Sequence, residues 1–190
     1  MKKEDKKLAD LLFESAMLKR IERTGYSFLG SGKECIASHS FGVGFTAWIL
    51  STMFKKEGKE VDQEKILKMA LLHDFTEART GDFNAVNKLY NSTDEEKALK
   101  DAFTGSLLEE EAFELWKEYR EMQTLEAKIV HDADVIDLIV QLKEQMDLGN
   151  PYAKKWIEYA KKRLVTELGK KLTKAVLSRE WCEWWYEILP

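Results

Sequence analysis

Met69-Ala70-Leu71-Leu72-His73-Asp74-Phe75-Thr76-Glu77 is the stretch on which the reading of this chain turns. Apolar residues lead a helix up to a His and an Asp side by side, and a Glu follows one turn on. Adjacent side chains on a helix diverge by about 100°. An imidazole and a carboxylate so placed can still both reach an ion lying between their directions. Nitrogen and oxygen donors together suit Mn, Co, Fe, Ni or Zn, and not Ca. Glu77 is four residues after His73 and three after Asp74, so it shares their face. There it suits holding a water or passing a proton. A lone His-Asp dipeptide is also a common accident, its Asp an ordinary cap or solvated group. The place of this one counts for it: it ends an apolar segment and precedes the break Thr80-Gly81-Asp82, and helix ends beside loops are where sites tend to sit.

Outward from this stretch the chain reads as helix. Its 190 residues hold only two Pro and ten Gly, and it is rich in the Lys, Glu, Leu and Ala that favour helices. That predicts an all-α fold, a multi-helix bundle. The length predicts a single domain over residues 1–190, with 165–190 as an aromatic C-terminal helix packed on it. Hydrophobic residues make up 44%, enough for a sizeable core. A net charge of −4 argues against a nucleic-acid polymer as partner. No apolar run approaches the roughly 18 residues of a membrane span, and the basic start turns acidic before any signal-peptide core. Two cysteines, Cys35 and Cys182, are too few for a disulfide framework. The expectation is a cytoplasmic protein with reduced thiols and no membrane partner.

Periodicity and caps set the expected elements. Leu8, Leu11, Leu12, Ser15 and Leu18 form one face of a helix ending near Thr24-Gly25, and residues 25–34 read as a loop. A helix spans about Cys35 to Lys56. Another, capped by Asp62, runs to about Arg79. Further helices run from Thr93-Asp94 to about Phe103, from a Ser106/Glu109 capping box to Met122, and from Thr124 to Leu148. Asn150-Pro151 restarts the chain, and a last helix covers Lys170 to Glu187. Its stripe Leu177, Trp181, Trp184 and Ile188 is most simply core, with a dimer surface or pocket lid the minority reading; Trp48, Trp116 and Trp156 are best taken as core. Gly30-Ser31-Gly32-Lys33 lacks the spacing and the preceding strand of a phosphate loop.

A second pair, His131-Asp132, lies on the long helix with Asp134 beyond it. Ile129, Val130, Ala133, Ile136 and Val140 mark its buried side. Asp134 shares a face with Val130, Asp137 and Leu138, so it points inward or to a cleft, where a charge needs a partner. Asp132 lies with Lys128 and reads as a surface ion pair. Spacing alone does not choose among His131, Asp132 and Asp134.

His39, then His73-Asp74, then Asp134 resembles the H…HD…D pattern of HD-domain metal-dependent phosphohydrolases. Leu18 to Gly25 resembles the LKR-x-x-R-x-G opening of their 5′-deoxynucleotidase branch. Ile36 to Ser40 is similar to its S-V-x-E-H-S segment, and His73 to Asp82 to its HDxxE…xGD segment. Glu114 to Tyr119 and Glu126 to Asp134 are similar to its ELWxEYE and EAKFVKQxD stretches. The resemblance covers roughly residues 8–160. It implies one divalent ion (Mn, Co, Fe, Ni, Zn or Mg) held by His39, His73, Asp74 and Asp134, the Glu126-Ala127-Lys128 register selecting Asp134 over Asp132. It implies Glu77 and Asp82 as catalytic groups near the water and the leaving group, and Arg23 on the phosphate. It also implies hydrolysis of nucleoside 5′-monophosphates, often deoxy ones, by a homodimer.

Arg23 suits phosphate because its planar fork donates two parallel hydrogen bonds. Lys88 and Lys33 are further phosphate candidates, with a solvated Lys the plainer reading of each. Ser38 stands where the family often has an acid before the first His, and residues 84–88 lack prolines found in some members. The competing readings are an HD-type phosphodiesterase or guanosine-tetraphosphate hydrolase, and a non-catalytic helical binding module. Two-metal members want more histidines than the three present.

Overall fold

Helices start where the sequence supplies acceptors for their unpaired amides. Asp62 accepts from the Lys65 amide at 3.0 Å and Asp94 from Lys97 at 2.9 Å. Thr124 accepts from Ala127 at 3.2 Å and Thr166 from Gly169 at 2.9 Å. The computed structural model describes residues 3–189. In chain order the helices are α1 (Lys3–Met17), α2 (Gly25–Leu29), α3 (Ile36–Lys56), α4 (Gln63–Leu72) and α5 (Glu77–Thr80). After a short 3-10 turn at Asn87–Leu89 come α6 (Glu95–Phe103), α7 (Glu109–Glu121), α8 (Leu125–Asp147), α9 (Ala153–Lys161), α10 (Glu167–Leu177) and α11 (Glu183–Tyr186). Among the described residues there is no strand. A single antiparallel bridge, Glu22 to Cys35, ties the two ends of the segment that carries α2.

The fold is all-α, as its composition predicts. Its centre is the seam between the two longest helices, α3 and α8, which pack along each other, with α4, α7, α9 and α10 laid against them. Ile36, Val43, Ala47 and Leu50 from one side and Ile129, Val130, Ala133, Ile136 and Ile139 from the other are sealed from solvent. The functional candidates on α3 and α8 are therefore mounted on the most deeply buried seam of the described residues.

Several expected elements differ. Residues 25–34 contain α2, which ends at Gly30 in the left-handed region (φ 81°). The helix expected through Arg79 stops at Leu72. Residues 73–76 form turns whose dihedrals at His73 and Thr76 stay right-handed, so the apolar pattern runs on unbroken into α5. Ser106 and Glu109 form no capping box: Ser106 accepts from Leu108, and Glu109 reaches back to the Gly105 amide. The last helix is broken between Leu177 and Glu183. Trp181, Trp184 and Ile188 are exposed rather than core, Trp184 at 70%. Leu12 and Val140 are exposed too. Trp48 is exposed and forms an aromatic ladder on α3 with Phe41 and Phe45. Trp116 and Trp156 do pack against the core.

Candidate metal centre and its cavity

Four side chains from three distant parts of the chain converge. His39 reaches the site from the first turn of α3, held there by Ile36, which is sealed in the core. His73 and Asp74 come from the turn that ends α4, and Asp134 from the middle of α8. His73 Nε2 lies 3.1 Å from Asp74 Oδ2 and 3.4 Å from His39 Nε2. His39 Nε2 lies 3.5 Å from Asp74 Oδ2 and 3.3 Å from Asp134 Oδ1. Donors bound at roughly 2.1 Å and separated by 90–110° stand about 3.0–3.4 Å apart. The spacing and the N/O donor set thus fit a divalent ion of the first transition row.

The second nitrogen of each imidazole is engaged, which turns Nε2 to the centre. His73 Nδ1 donates to the carbonyl of Ala70 at 2.7 Å, and His39 Nδ1 pairs with Asp137 Oδ2 at 2.7 Å. Burial works against a charge on His39, but Asp134 and Asp137 outweigh it and push the imidazole up to about 9. Burial likewise opposes ionisation of Asp74 and Asp134, and the facing imidazoles overcome it, holding both carboxyls below the ordinary range. Arg163, which no sequence argument singled out, adds to this by meeting Asp134 Oδ2 at 3.1 Å. The Tyr119 ring stands edge-on to His73, with centroids 5.9 Å apart, and closes that side.

Asp74 and Asp134 line a cavity of about 570 Å³, with His39 and His73 buried behind them. Arg23 and Glu77 are on its wall, and each carries a buried polar atom without a partner, Nη1 and Oε2 respectively. Buried polar atoms are nearly always paired, so both are poised for a guest. Burial first, then Asp74 and Asp82, push the Glu77 carboxyl up to about 9, while Arg23 and Lys88 pull it down. Arg23 is steadied from behind by Glu34, 3.9 Å away. Asp82 also lines the cavity, with its Oδ2 accepting from both the amide and the hydroxyl of Thr24. Lys88 reaches the rim and is exposed. Lys33 is not part of this wall; it pairs with Glu22 at 2.6 Å on the surface. The far end is apolar and aromatic, with Leu138, Trp156 and Tyr159.

The second histidine pair resolves by direction. His131 Nε2 bonds the carbonyl of Arg163 at 3.0 Å. Asp132 is not a surface partner of Lys128. It is fully buried and accepts from the amides of Val165 and Thr166 at 2.8 and 2.9 Å and from the Thr166 hydroxyl at 2.5 Å, fastening the start of α10. Asp137 was legible as a neighbour of Asp134 on one face, but not as the partner of His39. Arg163 follows α9 with no local signal of its own.

Fold and site together define an all-helical protein with a buried His/Asp centre beneath an Arg-lined cavity. Among families, the HD domain matches residues 15–176. The 5′-deoxynucleotidase HDDC2 of Dictyostelium discoideum is 36% identical over 138 residues, 67% of this chain and 71% of that one. The protein of the same name from Danio rerio is 30% identical over 142 residues, 70% and 68% of the two chains. A solved structure, a conserved hypothetical protein from Pyrococcus furiosus, superposes with a TM-score of 0.77 at 33% identity, covering 90% of this chain and 99% of that one. The chain belongs to the HD domain family.

Proposed function

We propose that this chain is a divalent-metal-dependent phosphohydrolase that removes phosphate from nucleoside 5′-monophosphates, deoxy ones included. The observation that carries this is a cavity in which Asp74 and Asp134, the carboxylates of the His39/His73/Asp74/Asp134 cluster, share a wall with two unpartnered buried groups, Arg23 Nη1 and Glu77 Oε2. Relatives named 5′-deoxynucleotidase support the substrate class.

His39, His73, Asp74 and Asp134 would hold one divalent ion. When bound, the ion neutralises phosphate charge and makes a water acidic enough to attack at neutral pH. Arg23 binds the phosphate oxygens with its free fork. Glu77 orients the attacking water; the charge of a bound ion, added to Arg23 and Lys88, would favour its ionised form, in which it takes the water's proton. Asp82 stays close to the departing 5′ oxygen, positioned through Thr24. Lys88 closes over the phosphate from the rim. Trp156, Tyr159 and Leu138 receive the sugar and base, where an aromatic wall suits a flat ring. His131 is spent on a backbone carbonyl, which leaves no spare imidazole for a two-metal diesterase centre.

The protein acts in the cytoplasm, consistent with the unpaired thiols of Cys35 and Cys182. It works as a homodimer, for which the exposed ladder Phe41, Phe45 and Trp48 is the supporting surface. Light scattering checks this: a monomer at micromolar concentration would remove the dimer.

The decisive experiment is phosphate release from a panel of ribo- and deoxynucleoside monophosphates, with a phosphodiester and guanosine tetraphosphate alongside, under added Mn, Co, Mg or Ni. Metal-dependent release from the monophosphates is expected. Turnover confined to the diester or the tetraphosphate, or no turnover with any metal, would overturn the reading.

A further inference from the structure

Behind the centre, on the side away from the cavity, Asp137 is buried between α3 and α8, only 5% exposed. Its Oδ2 takes the Nδ1 hydrogen bond of His39 at 2.7 Å. Its Oδ1 lies against Gly42, where a side-chain Cβ would stand 1.9 Å from that oxygen and 2.7 Å from the carboxyl carbon. Real Cβ atoms never come so close, so the carboxylate occupies room that only a glycine leaves. Gly42 is one turn beyond His39 on α3, and Asp137 one turn beyond Asp134 on α8. Glycine in mid-helix costs roughly 1 kcal/mol relative to alanine. Gly44, two residues on, has open space where its Cβ would be. Of the two glycines within α3, only the one at position 42 is demanded by a neighbour.

The two imidazoles are held differently. His73 leans on a neutral carbonyl, and His39 on a carboxylate. A carboxylate behind an imidazole fixes the tautomer, aims the far nitrogen and makes it a better donor. Glu34 is the other buried acid near this spot, and it is committed to Arg23 and to the Tyr26 hydroxyl, 3.1 Å away.

We infer that Asp137 is a positioning residue that orients His39 and strengthens its grip on the metal, and that Gly42 is the residue that admits it. This rests on the reading of His39 as a metal ligand. The test measures Mn and Co binding by calorimetry and the absorption spectrum of the cobalt-loaded protein, without reference to turnover. Asp137→Asn keeps a hydrogen-bonding shape but loses the charge. It is expected to weaken metal binding by about 10–100-fold and to shift the cobalt bands, while the EDTA-treated variant still melts cooperatively. Gly42→Ala is expected to do the same by expelling the carboxylate, and Gly44→Ala to leave affinity unchanged.

Parental affinity and an unshifted cobalt spectrum in folded Asp137→Asn would overturn the inference. So would parental affinity in Gly42→Ala, which decides the matter if Asp137→Asn does not fold. An acid serving only the fold would lower the melting temperature and leave the affinity of the folded protein alone. If the parent protein binds neither metal, it is the reading of the centre itself that fails.

Discussion

Asp132 and Asp134 are two residues apart on α8 and serve different ends of the molecule. Asp132 fastens the first turn of α10 through Val165 and Thr166, while Asp134 lies between His39 and Arg163. Removing each should separate folding from site chemistry. Asp132→Ala strands the buried amide and hydroxyl of Thr166 and the half-buried amide of Val165, costing roughly 2–3 kcal/mol and lowering Tm by roughly 4–12 °C. Its metal affinity should stay at the parental value. Asp134→Ala should lose at least about tenfold in affinity. Calorimetry and thermal melts on both variants check this, and equal metal loss in the two would contradict it.

Glu77 faces the cavity with an unpartnered oxygen, so its presence is a strain on the empty fold. Glu77→Gln should retain the metal, lose about 10²–10⁴-fold in turnover, and melt no lower than the parent without metal. Retained turnover would remove Glu77 from the proton transfer.

The metal-free centre has a predictable pH signature. His39 is raised to about 9 in the folded protein, against an unfolded value near 6.5. The bound proton stabilises the fold fully below about pH 6.5, and that contribution fades as pH climbs through 9. Asp74 and Asp134 are depressed, so their contribution is present above about pH 4 and lost on acidification below it. The ion displaces the imidazole proton, so metal affinity should rise over the interval in which EDTA-treated protein loses stability. Melting curves between pH 6 and 9.5, with and without Mn, measure both slopes. A flat response in the metal-free protein would disprove the account.

The C-terminal aromatic segment is held by a half-buried ion pair. Lys143 meets Asp147 on α8, and Asp147 Oδ2 also accepts the Trp181 amide at 2.9 Å. Lys143→Met should cost about 1–3 kcal/mol and expose residues 178–189 to protease before the rest unfolds. Limited proteolysis with mass spectrometry tells whether that segment is cut first.

Much of this was legible in the sequence. The helices that carry the site, α3, α4 and α8, follow from apolar period and caps, because local acceptors such as Asp62 and Thr124 do in the structure what they do in peptides. What escaped depends on the arrival of distant chain. Asp132 reads as a surface acid until α10 lands on it. Arg163 meets Asp134 from 29 residues away, and the Asp137–His39 contact spans 98 residues. The turn after Leu72 escaped because right-handed dihedrals continue through it, so apolar spacing gives no sign of the break. Trp48 and the final tryptophans escaped because a large aromatic residue signals burial whether or not its face is covered.

Gly42 and Asp137 lock two long helices at a fixed separation, and His39 and Asp134 are carried on those same helices. The centre therefore resembles a pair of jaws whose gap is set along their whole length. A bulkier side chain at the sealed Ala47, eight residues beyond His39 on the same helix, would pry them apart and loosen the hold on the ion.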